Sequence, residues 1–545
     1  MYLTPDSGRR LAPILLALIL AGAASTARAT FWGPDYNISG GDVNETYTPP
    51  NNQRCMAVDD SNNLYVTFYD NRNQIVNGDD NYEIYFRRFT FNFGSPSITR
   101  VTDAPNLSNY PSLATLNWGA GDAATADDSA RIYLTWRDAR LYPIPTTGPP
   151  MSYSIFFRTY QSRWGVGFGP EIQVSPTDSF DVAASPVIAV DPFKHAWIVW
   201  QRNTNGVNPT NLFYATYDAA TRTMGTSQPL TNHVAGTAYA SMPAIAATRD
   251  GVVHVVWVDN RVGNKQQLWT KRYVPGAGWT ADAQLVFSAG TAGSSQPSLV
   301  ATYTGHLHLV WRDNRDGNYE IYYKEYFPST GWDPTDTRIT TNGFTQSDPS
   351  VDADPSNFVY LVWTDQRNGS QNPDIFFQER TGGVWQGEMP LVYSATDSTN
   401  SIQQYPGITH DGLGNTYVAW TDHRLPASSG KNKDVYYKVG TGSVTAVGGQ
   451  AAPPLSRLLR NYPNPFNPAT KIEFGLPKDA QVSLRVFDVH GRLVRTLVDG
   501  YLAAGRRTIE WDGRDDRGSP AASGTYFMRL SGGGAYESRT LNLLK

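Results

Sequence analysis

"WRDNRDGNYEIYY", residues 311–323, decides the fold because it recurs. Aligned on the tryptophan, the chain carries "FYDNR" (68–72), "WRDAR" (136–140), "WQRNT" (200–204), "WVDNR" (257–261), "WRDNR" (311–315), "WTDQR" (363–367) and "WTDHR" (420–424). Successive anchors lie 52 to 68 residues apart, so the units differ in loop length. Each unit reads as four strands. An apolar run behind a proline comes first, as in "QPSLVA" (296–301) or "YPGITH" (405–410); proline is tolerated where a strand begins, since its missing N–H breaks no ladder there. "HLHLVW" (306–311) is the second, "EIYYKEY" (320–326) the third and "TRITT" (337–341) the fourth, often after a turn ending in Trp164, Trp279, Trp332 or Trp385. Such a unit cannot cover both its faces alone, and stacking around an axis does so. The expected fold is all-β: a seven-bladed β-propeller of four-stranded blades, then a small C-terminal Ig-like β-sandwich.

Seven units contain only six fourth strands between them, and the last runs into "GTGSVTAVGGQAAPP" (440–454). Upstream, "DYNISGGD" (35–42) matches "ITRVTDAP" (98–105), so the N-terminal strand is expected to complete the last blade. The third unit is degenerate, which leaves six or eight blades open. The expected organisation is a signal peptide over 1–29, the propeller over 30–440, a linker over 441–456 and a sandwich over 457–545.

Seven near-copies of one phrase argue for structure, because a catalytic constellation needs differentiated roles. Asp70, Arg72, Asp138, Arg140, Asp259, Arg261, Asp313, Arg315, Asp365, Arg367, Asp422 and Arg424 are therefore expected to be a structural staple. Each arginine would pair with its own aspartate and with the acid opening the third strand (Glu83, Glu320, Asp374, Asp434), leaning on a ring. The aromatic pairs Tyr322-Tyr323 and Phe376-Phe377 would pack between blades. "DNRDGNYE" (313–320) and "NGDDNYE" (77–83) invite a calcium reading, but a competing arginine disfavours metal, so no cofactor is expected.

Bulk properties narrow the function. With 45 Lys+Arg against 49 Asp+Glu and no basic stripe, nucleic acid is not an expected partner. Arg9-Arg10, an apolar run from Leu11 to Ala24 and Ala27-Arg28-Ala29 have the order of a secretory signal with cleavage near Ala29. Cys55, the single cysteine, sits in an apolar run and reads as a buried hydrophobe. No H-E-x-x-H, G-x-S-x-G or P-loop pattern occurs.

The blade text, with "PSL", "W-x-D-x-R" and "EIYY", resembles the bacterial sialidase-like propellers over roughly residues 35–440. That resemblance implies the fold. The family's chemistry, a tyrosine nucleophile with an acid partner and three carboxylate-binding arginines, is not carried over. There is no Arg-Ile-Pro near the start, and "TRDGVVHVVW" (248–257) is only a partial echo of the S-x-D-x-G-x-x-W box. The C-terminal residues resemble the sorting domains of type IX secretion cargo and the related Ig-like domain of flagellar hook-capping proteins. Tyr462-Pro463-Asn464-Pro465-Phe466-Asn467-Pro468, Asp488, Gly491, Trp511-Asp512-Gly513, Gly518, Gly524-Thr525-Tyr526 and Lys545 carry this likeness. It implies the type IX machinery as a partner through residues 457–545, and export to the medium or outer-membrane surface of a Gram-negative-type bacterium.

The favoured function is a monomeric binding or adhesion module for an extracellular glycan, other polymer or protein. A sialidase-like glycoside hydrolase or lyase is the alternative. Loops carry ligand contacts more readily than strands, and the expanded loop "LYPIPTTGPPMSY" (141–153) offers Tyr142 and Tyr153 as binding residues. No catalytic residue is assigned. An uncompensated arginine or unpaired carboxylates in an asymmetric pocket would favour the enzyme over the binding module.

Overall fold

The computed structural model describes residues 27–545 apart from 33–34, 41–44, 51–53, 60–62, 73–80, 90–97, 105, 116–130, 142–151, 162–166, 177–181, 204–209, 235–236, 287–291, 355–356, 393–400, 412–413, 425–432, 446–459, 465, 477–479, 489–492, 503–504, 533–534 and 545. The described residues are all-β, without a helix. Two compact units are present, Arg28–Ser443 and one that contains Val444–Lys545.

Among the described residues, the first unit holds seven five-stranded antiparallel sheets with propeller-like stacking. The fifth sheet shows the plan: Ser294–Ala301 inside, then Leu307–Asp313 and Glu320–Phe327, and outside two short pieces, Gly331–Trp332 and Thr337–Arg338. Both outer pieces pair with Glu320–Phe327. The fourth strand expected from the sequence is thus split, and the split places a loop acid, Asp336, beside the sheet. The core lies between sheets. Trp311, Leu309 and Tyr322 pack with Val256, Val258 and Leu268 of the fourth sheet, while Val310, Ile321 and Tyr323 pack with Val351, Leu361 and Trp363 of the sixth. Strand alternation sends successive side chains to opposite neighbours, which is why these strands read as continuous apolar runs.

The last sheet is completed from the other end of the chain. Ala27–Trp32 and Tyr36–Asn37 form its two outer pieces, with Tyr36 opposite Tyr437 and Asn37 opposite Tyr436. Thr30 donates to Glu379 at 2.7 Å, Trp32 meets Phe377 edge-on at 4.9 Å, and Ile38 is buried.

The repeated phrase forms the expected Asp–Arg pair, but its second partner differs. Arg315 Nη2 reaches Asp313 at 2.7 Å, and its backbone N–H caps the same carboxylate at 2.9 Å. Trp311 Nε1 also donates to Asp313, at 3.3 Å, and the guanidinium lies 4.5 Å from the Tyr322 ring centre. The other nitrogen pairs with Asp336 at 2.7 Å, not with Glu320. Asp313 and Glu320 stand directly opposite in register, and one guanidinium that leans outward over Tyr322 meets the outer loop instead. Glu320 is satisfied by Arg338 at 2.7 Å and Thr340 at 2.5 Å. Asp282, Glu171 and Glu388 repeat the role of Asp336 for Arg261, Arg140 and Arg367. In the last sheet Asp35, between the two N-terminal pieces, does so for Arg424 at 2.9 Å. Arg72 departs from this: it pairs with Asp70 at 2.7 Å and donates to the Ser39 carbonyl at 2.6 Å. Glu83 and Asp434, like Glu320, bind elsewhere, to Arg100 and to Ser39, and Asp374 accepts from Asn368. In the degenerate third sheet Arg202 and Asn203 stand where the others have Asp and a turn residue, and the buried Trp200 Nε1 has no acceptor among the described residues.

These buried carboxylates set an acid limit. Burial alone would raise the Asp313 carboxyl, but Arg315 and Ser294 overcome that and hold it below the usual range; Asp365 is held down likewise by Arg367 and Trp363. A group with a depressed folded pKa stabilises the fold above its unfolded value, near 3.9, and the contribution fades as pH falls through the folded value. Asp259, Glu325 and Asp352 are held down as well, so Glu83, Asp348 and Asp374, which burial raises and which act oppositely, are outnumbered. Stability is therefore expected to fall steeply below about pH 4, measured as the urea midpoint against pH. A flat profile from pH 6 to pH 3 would contradict it.

Calcium finds little room in residues 313–320. Asp316 pairs with Arg338 at 3.1 Å and accepts from Tyr322, so every acid there already holds a cation. Among the described residues no group of three or more His, Cys, Asp or Glu could hold a metal; the calcium reading of 77–83 falls mostly outside them. Cys55 is buried, and burial pushes its thiol up to about 12.

The C-terminal unit pairs a three-stranded sheet (Arg460–Tyr462, Thr470–Leu476, Gly505–Trp511) with a four-stranded one (Leu493–Leu502, Ala480–Asp488, Gly524–Gly532, Ala535–Leu543). Trp511 fills the core among Phe466, Leu484, Met528 and Leu541. Gly513 follows it at φ 69°, where a Cβ would stand 2.6 Å from the Pro468 carbonyl, which explains the Trp-Asp-Gly spacing. Phe466 N–H bonds the Asn542 carbonyl and Asn464 accepts from Asn542 N–H. The Asn-Pro-Phe motif is thus a clamp on the final strand.

Candidate binding site at the channel mouth

Six inner strands break register once, between Asn109/Ser112, Ala184/Val187, Ser241/Ala244, Ser295/Ser298, Ser347/Ser350 and Gln404/Gly407. A residue with positive φ, followed by proline, stands in each break: Tyr110 (53°), Ser185 (50°), Met242 (49°), Gln296 (53°), Asp348 (51°) and Tyr405 (56°). Proline disfavours the right-handed helical region for the residue before it, and a bulge re-aims a side chain. Each such residue costs about 1–3 kcal/mol, strain that clusters at functional sites. Neighbours in this ring touch: Gln296 Nε2 donates to Asp348 at 2.8 Å, and Gln296 Oε1 accepts the Asp348 N–H at 2.9 Å.

The second strands end at the same level. There the position after the tryptophan, or after Phe68 in the first unit, varies; it is Tyr69, Arg137, Gln201, Val258, Arg312, Thr364 and Thr421 in turn. Alternation puts it on the face away from the staple. Arg137 lies opposite Asn109 in register and donates to it through Nε at 2.5 Å. Its guanidinium is held between Tyr110, 4.0 Å to the ring centre, and Tyr153, 4.4 Å. No ion pair forms at Arg137 among the described residues; burial weighs against its charge, and Tyr110, Tyr153 and Tyr69 are the titratable groups facing it there. Arg312 is bonded to Ser295 at 2.8 Å and stacked on Tyr319 at 4.4 Å, but unlike Arg137 it faces a carboxylate, the buried Asp348, whose charge it favours. The staple arginines likewise each carry a carboxylate.

Aromatic rings continue from Arg137 around the mouth. Tyr110 meets Tyr69 at 6.0 Å, Tyr69 stacks on Tyr47 at 5.3 Å, and Tyr82 lies 5.5 Å from Tyr69. Glu45 accepts from Tyr47 at 3.0 Å and Tyr82 at 2.8 Å and pairs with Lys433 at 3.3 Å. Beneath, Arg54 Nη2 reaches from the first sheet to the Leu299 carbonyl of the fifth at 2.9 Å, so a guanidinium crosses the ring interior. Burial pushes the Tyr405 phenol up, with Asp348 and Tyr110 adding to it, and burial pushes Tyr69 up further. Burial raises the Asp348 carboxyl, though Ser347 and Gln296 bond to it.

Of the residues expected to bind ligand, Tyr142 lies outside the described residues. Tyr153 is at the mouth but buried beneath Arg137, a support for that cation more than a loop contact. The twelve staple residues stand on the other strand face. Sequence reasoning missed Arg137, Arg312, Tyr110, Tyr405 and Asp348. Their signal was available: the position that varies inside a repeated phrase, and the residue before each repeated proline.

Comparison with solved structures finds low likeness. A protein of unknown function from Dyadobacter fermentans DSM 18053 is 12% identical, covers 76% of this chain and 99% of its own, with TM-score 0.44. Polysaccharide lyase Uly1 is 12% identical over 77% of this chain and 99% of its own, TM-score 0.45. PorZ, a surface component of the type-IX secretion system of Porphyromonas gingivalis, is 12% identical over 90% and 70%, TM-score 0.31. At these values the likeness says nothing about what this chain binds or cleaves. No curated protein matches. The family model that does match is the FlgD Ig-like domain, over residues 464–535, so the C-terminal unit, and not the chain as a whole, has an assigned kinship.

Proposed function

We propose that the protein is a secreted or cell-surface, seven-bladed propeller that binds an acidic extracellular glycan at the channel mouth. Arg137, held between two tyrosine rings without a carboxylate, carries this reading. A half-buried guanidinium lacking a counter-ion presents its planar donors to a carboxylate or sulfate, and the surrounding tyrosines offer flat faces to sugar rings. Arg312 gives a second cation on the same rim. Tyrosines held in the phenol form suit stacking better than nucleophilic attack, which needs an activated oxygen.

Two observations favour the hydrolase or lyase reading. An uncompensated arginine, here Arg137, is itself expected in the asymmetric pocket of an enzyme. The carboxyl of Asp348, raised by burial at the same mouth, is a general acid in waiting. Neither a counter-residue for it nor a nucleophile is assigned, so binding remains the conclusion.

The C-terminal domain is proposed to act as the sorting signal for type IX export, after removal of a signal peptide near Ala29. Thr30 and Trp32, just beyond that site, make the contacts of the first strand. In titration calorimetry with an oligogalacturonate, Arg137→Ala is expected to weaken binding about 10- to 100-fold, as the loss of a charged hydrogen-bonding pair does, with the melting temperature little changed. Equal affinities for both proteins would remove Arg137 from the site.

A further inference from the structure

The C-terminal unit presents an interaction surface on the side of its four-stranded sheet turned away from the core. Along Ala480–Asp488 the alternate residues Val482, Leu484 and Val486 are buried, and so are Tyr526, Met528 and Leu530 of Gly524–Gly532. Alternation therefore turns Arg485 and Phe487, and with them Phe527 and Arg529, to the outer face. Register aligns these residues. Phe487 stands directly opposite Phe527 on one side and Leu493 on the other, and Arg485 stands directly opposite Arg529. The face thus carries three apolar side chains in a row across three strands, beside a row with two arginines.

Neither row serves the core. An antiparallel sheet commonly packs one face on the core and leaves the other polar. Here the inner face already supplies the core, and among the described residues Phe487, Phe527 and Leu493 are not part of it. Leu493 is 48% exposed, and both phenylalanines are half-buried. Like charges directly opposite each other on neighbouring strands are destabilising. Arg485 reaches Asp499 at 3.0 Å, but both side chains are largely exposed, where such a pair contributes little. The surrounding charge has the same sign as the arginines: residues 457–545 hold 14 Lys+Arg against 9 Asp+Glu, in a chain whose totals are 45 and 49. Aromatic side chains and arginine are enriched where proteins meet, and a positive patch selects a negative one.

We propose that this face docks the C-terminal domain on an acidic protein partner, whose carboxylates meet Arg485 and Arg529 and whose apolar side chains cover Phe487, Phe527 and Leu493. The docking face rests on the reading of this domain as an export signal, and the partner is then a component of the export machinery.

The test is export of the full-length chain in a bacterium that has a type IX system, read as the fraction of the protein in the medium and at the cell surface against that in the periplasm. A chain without residues 457–545 is the reference and is expected to stay in the periplasm. Arg485→Glu combined with Arg529→Glu should lower the exported fraction about tenfold or more, the effect of losing charge-assisted contacts. Arg485→Lys combined with Arg529→Lys should export like the parent. The purified mature proteins should melt alike, because neither arginine belongs to the core. Should the charge reversal fail to fold, Phe527→Ser is decisive: it removes apolar area from the outer face and should lower export with the melting temperature kept. A folded charge-reversal or Phe527→Ser protein exported like the parent would overturn the docking face and leave the export signal standing. Export of the chain without residues 457–545 would instead overturn the export reading, and the docking face with it.

Discussion

Deleting residues 30–40 from the mature chain is expected to abolish the cooperative unfolding of the propeller unit. The deletion removes both outer pieces of the last sheet and the buried Ile38. Arg424 and Lys438 lose Asp35, which they hold at 2.9 and 2.8 Å, and the buried Asp434 loses the Ser39 hydroxyl. Burying one large aliphatic side chain stabilises by about 1.5–3 kcal/mol, and orphaning a buried charge costs about 3–5 kcal/mol. Together these approach the whole stability of an ordinary domain, about 5–15 kcal/mol. Circular dichroism melts should show a broad, early transition or none. The point variant Asp35→Ala should cost much less, because Asp35 is partly exposed and Arg424 keeps Asp422. A deletion protein that melts like the parent would mean that the ring does not depend on closure by its N-terminus.

Asp313→Ala should cost about 3–5 kcal/mol, the scale for removing one partner of a buried ion pair. That carboxylate holds the Arg315 guanidinium, the Arg315 N–H, Trp311 Nε1 and the Ser294 hydroxyl at 2.6 Å. Asp313→Asn keeps the size and one acceptor, and should lose distinctly less. Urea denaturation of both variants measures the difference. A loss below about 1 kcal/mol for Asp313→Ala, the range of exposed ion pairs, would show the phrase to be ornament on the fold.

The all-β class and the repeat were legible because packing imposes the same demand on every unit. Trp311, Asp313 and Arg315 recur since each sheet must seal the same corner. Less legible was the arginine's second partner. Asp336, Asp282 and Glu388 lie 21 residues after their arginines, a spacing visible only once the outer strand is known to split. A cross-strand acid was the natural guess from register alone, and the register does put Glu320 opposite Asp313. Side-chain reach, which register does not encode, sends Arg315 outward. The mouth was harder still. Arg137 and Tyr110 come from different strands, and the Tyr110 conformation depends on a bulge that no propensity announces. The expanded loop points to Tyr142 and Tyr153, whereas the cation stands inside the repeated phrase itself, one residue from the staple.

The most direct test of the binding site is a retention assay. The mature chain and its Arg137→Ala variant are immobilised and offered a mixed library of neutral, uronate-bearing, sulfated and sialylated glycans, with mass spectrometry of the eluted and unbound fractions. Acidic members retained uncut by the parent, and released by Arg137→Ala, are the predicted result. Shortened products in the unbound fraction, or acidic glycans held equally by both proteins, would contradict it.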